Sequence, residues 1–308
     1  MSDVPTTVSP VIASFELLNA LVIEVVDTYR ADPIDVRSPH KSGSVAWKDL
    51  HAQRRFASEW SQAPILNAQA EALRYLASAE DHLRAAAHLV LADGVVLSPI
   101  SLGRTVVTAS ATAVWLVRSN VTTQERLRRS MSFRIRTLEE RLQYCDDDSA
   151  TRKYKIQLDA ELQQISDLSA DLGMAFKTFK AGRRYIDHPI PSDTQLMREF
   201  FADYDQEEGE SRGMAEFVQR FYSAAVHANA NNLAIGTLVR TGTSRDGAHL
   251  AAISLSARET ARYLQTMAYS FTLAYEVLSS YFGHGESRAI RKAWNATAKL
   301  SRIAVSGT

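Results

Sequence analysis

"LNAQAEALRYLASAEDHLRAAAHLVLAD", Leu66–Asp93, decides the fold class. Leu73, Leu76, Leu83, Ala87 and Leu91 recur at steps of three, four and seven, which gathers them on one face of an α-helix. Strand alternation is absent, and the alanines between the leucines let a second helix approach closely. Pro64 suits the first turn, while Asp93 and Gly94 mark the end.

The same period governs the chain on both sides. Upstream, a helix is predicted from about Val11 to Tyr29, then the polar loop "ADPIDVRSPHKSGS", then a short helix near Trp47–Trp60. Downstream, Ser98 and Pro99 suit the start of the helix carrying "RTVVTASATAVWLV". Thr122 with Glu125, and Ser256 with Glu259, have capping-box spacing and open two further helices. "KTFKAGRRYIDHPIPSD" reads as a loop and "GTLVRTG" as a turn. Glycine and proline are scarce, at 13 and 8 of 308 residues, so the expected fold is all-α, a helical bundle with negligible strand. No linker splits the chain. The expected organisation is an N-terminal helical extension, 1–62, and one helical domain, 63–308.

Composition narrows the function classes. The 35 basic and 35 acidic residues balance, which argues against a general polyanion binder, although a local basic patch stays open. One cysteine, Cys145, provides neither a disulfide framework nor a thiolate metal cluster. The N-terminus lacks a basic n-region, and Glu16 and Glu24 interrupt its apolar run, so a cytoplasmic protein without membrane association is expected. The sequence contains no phosphate loop, no G-x-S-x-G elbow and no Glu-x-x-His pair, so no cofactor and no metal site is expected. His82 and His88, six apart, fall on different faces of their helix.

Two basic stretches bear on nucleic acid. In "ERLRRSMSFRIR" the arginines 126, 128, 129, 134 and 136 spread around the helix, with Glu125, Glu139 and Glu140 at pairing distance. That pattern predicts a solvated, salt-bridged helix. Lys177, Lys180, Arg183 and Arg184 fall in the predicted loop, and Trp115, Tyr263, Tyr269, Phe271 and Tyr275 are expected in the core or at an interface.

The segment "RFYSAAVHANANNL", Arg220–Leu233, carries the candidate chemistry. Arg220 and His227 are two helical turns apart and share a face. This R-x6-H spacing resembles the R-x4-6-H signature of the HEPN superfamily, all-α proteins that include many metal-independent ribonucleases of toxin and antiphage systems. "DHLRAAAHLV", the arginine-led "GRTVVTASATAVWLV" and "ERLRRSMSFRIRTLEERL" follow in the order of the first part of those proteins. The chain departs from the pattern at Phe221 and Thr108. The resemblance implies a toxin- or defence-type ribonuclease with His227 as base and Arg220 as phosphate clamp. Tyr222, Ser223, Asn229 and Arg104 would contact substrate. It also implies a homodimer, an RNA substrate and an antitoxin or defence-system partner protein. Two alternatives stay open: a non-catalytic helical module binding a partner protein or nucleotide, and a structural subunit of a larger assembly. In those, Arg220 would pair with Glu216, four residues earlier, and His227 would sit favourably at a helix end.

Overall fold

The structure, a computed structural model, describes residues 10–35, 40–56, 63–92, 97–145, 149–179, 182–208, 214–226, 237–243 and 249–306. The first six helices are α1 (Pro10–Ala31), α2 (Val45–Phe56), α3 (Pro64–Leu89), α4 (Leu97–Val117), α5 (Thr123–Leu142) and α6 (Ser149–Asp171). A hairpin of β1 (Phe176–Thr178) and β2 (Arg184–Ile186) leads to α7 (Asp193–Glu208) and α8 (Met214–Val226). A second hairpin, β3 (Thr237–Thr243) and β4 (His249–Ser254), precedes α9 (Ala257–Phe282) and α10 (Arg288–Ser306). The all-α bundle expected from the periodicity is the architecture observed.

The main core forms where α4 meets α3 and α9, with α1, α7, α8 and α10 packed around them. α4 can occupy the middle because Ala109, Ser110, Ala111, Thr112 and Ala113 are small and buried. α4 is also long and apolar enough to cross a bilayer, and 72% of its apolar window is buried within the protein. α1 contributes Leu18, Leu21, Val22, Val25 and Val26 to this same core, against α10, α3 and α9. The boundary placed at residue 62 therefore does not separate α1 from the bundle. A smaller second core joins Leu127, Met131, Ile135 and Leu138 of α5 to Leu158, Leu162 and Ile165 of α6, with Ile186 of β2.

Several local expectations hold and several are corrected. Leu73, Leu76, Leu83 and Ala87 are buried, but Leu91 lies past the end of α3 and is exposed. Ser256 and Glu259 form a complete capping box on α9, which ends at Gly283 in the left-handed region (φ 88°). A side chain there would also crowd Ser44, whose loop donates the Lys41 amide to the Phe282 carbonyl (2.9 Å). Thr122 caps α5 by accepting from the Glu125 amide, but the Glu125 carboxylate turns instead to two arginines. Ser98 falls inside the first turn of α4 rather than at its cap. The loop and turn predicted around 176–186 and 236–242 are corrected to the two antiparallel hairpins.

The arginine-rich helix is the largest correction. It is salt-bridged but not solvated: Arg126, Arg128 and Arg129 are buried. Arg126 donates from Nη2 to Asp49 Oδ1 (3.0 Å) and from Nη1 to the carbonyls of Arg118 and Val121 (2.7 Å each). Its Nε meets Oδ2 as an ionic contact (2.5 Å) rather than an aligned hydrogen bond. Asp49 also accepts from Thr123 Oγ1 (2.6 Å) and from the Tyr281 hydroxyl (2.9 Å), which in turn accepts from Gln69 Nε2 (3.1 Å). One buried carboxylate thus ties α2 to α5 and α9, and through Tyr281 to α3.

Arg129 donates to the Trp115 carbonyl (2.6 Å) and lies over the Trp115 ring, while Arg128 donates to the carbonyls of Ile186 and His188. The bond to Trp115 satisfies a carbonyl in the last turn of α4 that helix geometry leaves open, while the Ile186 carbonyl also accepts from the His188 amide (2.6 Å). Burial raises the Glu125 carboxyl, but hydrogen bonds from Arg128 and Arg129 outweigh it and hold its pKa at about 2.

Breaking a buried pair strands the surviving charge, so Asp49→Ala should lower unfolding stability by about 3–5 kcal/mol. Arg136→Ala, which removes an exposed pair with Glu140, should lower it by no more than about 0.5 kcal/mol. Urea unfolding of both variants checks this contrast, and similar midpoints for the two would contradict it.

Candidate functional site

α8 is the element that positions the sequence-predicted pair. Ala215, Val218 and Tyr222 face the main core, and Arg220, off that line, is exposed. α8 packs against α4 and α7. Glu216, predicted to pair with Arg220, gives Oε1 to Arg198 of α7 (2.6 Å). Arg220 is thus on the outer side of a helix whose inner side packs on the core. His227 and Asn229 lie outside the described residues.

The remaining predicted contacts separate. Tyr222 is a core residue, not a ligand contact: it is 1% exposed and its hydroxyl donates to the Tyr263 carbonyl (2.9 Å). Burial pushes its phenol well above the ordinary range, which removes it from acid–base chemistry near neutrality. Ser223 is half-buried. Phe221 is half-buried too, edge-on to the Tyr222 ring at 5.1 Å. Arg104 of α4 is partly exposed, with Nη2 3.7 Å from Asp193 Oδ2 at the start of α7.

What seats α8 is a glycine that the sequence alone did not single out. At Gly103 of α4 a Cβ would stand 2.7 Å from Tyr222 Cδ1 and 2.5 Å from Met267 Cε of α9. Only the missing side chain lets the Tyr222 ring lie against the α4 backbone, and this contact holds α8 where Arg220 is presented. The sequence signal was a glycine within an apolar helix, the mark of a close approach.

A second feature is a cleft of about 470 Å³ between α3, α4, α5 and the start of α7. Tyr75, Phe133 and Trp115 supply its apolar wall, with Tyr75 edge-on to Phe133 at 5.8 Å. Arg74 with Glu71 and Arg136 with Glu140 line it as ion pairs. Thr108 also lines it; its Oγ1 is buried without a hydrogen-bond partner, while Thr112 Oγ1 donates to the Thr108 carbonyl (2.8 Å). This volume falls within the range of small-molecule sites. Among the described residues, no three His, Cys, Asp or Glu side chains are grouped so as to hold a metal ion.

Gly103→Ala should destabilise the protein by about 1–3 kcal/mol through overpacking, despite alanine's better helix propensity. Pairing it with Tyr222→Leu, which shortens the opposing ring, should recover part of that loss. Thermal unfolding of the single and double variants checks this, and a neutral or stabilising Gly103→Ala would contradict the close approach.

In comparison with known proteins, no family model matches the chain, and no curated protein and no solved structure matches it.

Proposed function

We propose that the protein is a metal-independent ribonuclease of toxin or antiphage-defence type, with Arg220 and His227 as its catalytic pair. The observation that supports this reading is the exposure of Arg220 on α8, a helix anchored by Tyr222 against Gly103 of α4.

In this mechanism neutral His227 takes the proton of a ribose 2′-hydroxyl. The 2′-oxygen attacks the adjacent phosphorus, and the bond to the 5′-oxygen breaks. A proton returns to that leaving oxygen, and the products end in a 2′,3′-cyclic phosphate and a 5′-hydroxyl. Arg220 stabilises the added negative charge on the phosphorane, a task suited to a guanidinium that stays charged at every working pH. A homodimer would bring two such helices to one strand, and an antitoxin or other defence partner would restrain the activity.

A second reading, a non-catalytic helical module that binds a nucleotide or partner protein, is favoured by the cleft among Tyr75, Phe133 and the Arg74 and Arg136 ion pairs. Its aromatic wall and buried Thr108 hydroxyl suit a small ligand with both a ring and polar groups.

The two readings separate in one experiment. His227→Ala and Arg220→Ala should each reduce RNA cleavage by a factor of about 10² to 10⁴, in the presence of a chelator and without loss of the folded state. Product analysis should find cyclic phosphate ends. Wild-type protein that leaves a wide panel of RNAs intact, yet is stabilised against heat by a nucleotide in a manner abolished by Tyr75→Ala, would establish the module instead.

A further inference from the structure

The β1–β2 hairpin has two unlike faces. Its register pairs Phe176 with Ile186, Lys177 with Tyr185 and Thr178 with Arg184. The ladder continues one step to the tip, where the Phe179 amide donates to the Arg183 carbonyl (2.8 Å). Side chains alternate across a strand, and opposed residues share a face. One face is therefore Phe176, Thr178, Arg184 and Ile186. It is the inner one: Ile186 is buried in the second core, Phe176 packs on that core, and Arg184 Nε donates to Glu139 of α5 (2.9 Å).

The other face is Lys177, Phe179, Arg183 and Tyr185, and it is turned outward. Lys177 and Arg183 are exposed, and Phe179 keeps 46% of its surface in contact with solvent. The Phe179 and Tyr185 rings lie against each other, with centroids 4.6 Å apart and planes at 40°. Lys177 Nζ gives one bond to the Asp187 carbonyl (3.2 Å), which holds it beside the rings. The Asp187 carboxylate is turned to the Ala175 amide (2.8 Å). The Asp187 amide donates in turn to the Ala175 carbonyl (2.8 Å), so this acid stands at the foot of the same face, beside Lys177.

We propose that this outward face is a binding platform for single-stranded nucleic acid. Two rings flanked by two cations, with the acid at the foot of the face turned to a backbone amide, match a strand whose unpaired bases offer flat π-faces and whose phosphates follow at each nucleotide. A duplex hides those base faces and offers only its phosphates. An acidic peptide would use the cations and leave the rings without stacking partners. The chain's zero net charge does not oppose this, because the basic residues are local to the face. The site is independent of the Arg220–His227 chemistry and stands whether or not the chain cleaves RNA.

The test uses the full-length protein and fluorescent oligonucleotides of about twelve nucleotides. A 2′-O-methyl RNA strand lacks the attacking hydroxyl, so binding is read without cleavage. That strand and a DNA strand of the same sequence should bind with affinities within a few-fold of each other, and more tightly than the corresponding duplex. Phe179→Ala should weaken single-strand binding by about five- to hundred-fold. Phe179→Trp should retain affinity, and the introduced indole should be quenched as bases stack on it. Lys177→Gln and Arg183→Gln should each reduce the salt slope by roughly 0.7. All four positions are at the surface of the hairpin or half-buried, so circular dichroism should be unchanged. No single-strand binding at low salt, equal binding of duplex, an unaltered Phe179→Ala variant, or preference for anionic vesicles or polyglutamate would each overturn the proposal.

Discussion

Taking the Arg126 guanidinium and the Asp49 carboxylate out of water costs several kcal/mol for each ion, and much else in the bundle is arranged around meeting that cost. Asp49 accepts from Arg126, Thr123 and Tyr281, and Arg126 donates from Nη1 to the carbonyls of Arg118 and Val121. Because the acceptors belong to different elements, the pair is satisfied only when α2, α5, α9 and the α4–α5 turn are all in place. Arg128 and Arg129 extend the network to β2 and to the end of α4.

That network explains which parts of the fold were legible. A helix buried on one face announces itself by period, and α3 and α9 were read from Leu73, Leu76 and the Ser256–Glu259 cap. The burial of Arg126, Arg128 and Arg129 was not readable, because their partners are Asp49 and backbone carbonyls brought in by tertiary structure. Sequence spacing shows only the local glutamates, and those suggest a solvated helix. The hairpins were missed for a different reason. β1 and β2 have three residues each, too few for alternation to stand out, and "GTLVRTG" displays turn glycines more strongly than strand residues.

The candidate site was legible in part. Arg220 is exposed on α8, and His227 lies outside the described residues. Tyr222 was misplaced because a tyrosine two residues after the arginine reads as a site residue, whereas Gly103 opens a slot that takes its ring into the core. The same misplaced residue has a use: by fixing α8 against α4 it holds the outer side of α8 in a defined orientation. In this account the helical frame supplies rigidity, α8 supplies the cation, and the β1–β2 hairpin offers stacking and charge at a separate surface.

The most direct measurement of the proposed chemistry is cleavage of an RNA in which the single nucleotide 5′ to the scissile phosphate carries a 2′-deoxy ribose. The account predicts that the all-ribose parent is cut at that site in the presence of a chelator, and that the substituted strand is bound equally well but left intact there. An uncut parent, or equal cutting of both strands, would contradict attack by the 2′-oxygen and with it the assigned roles of Arg220 and His227.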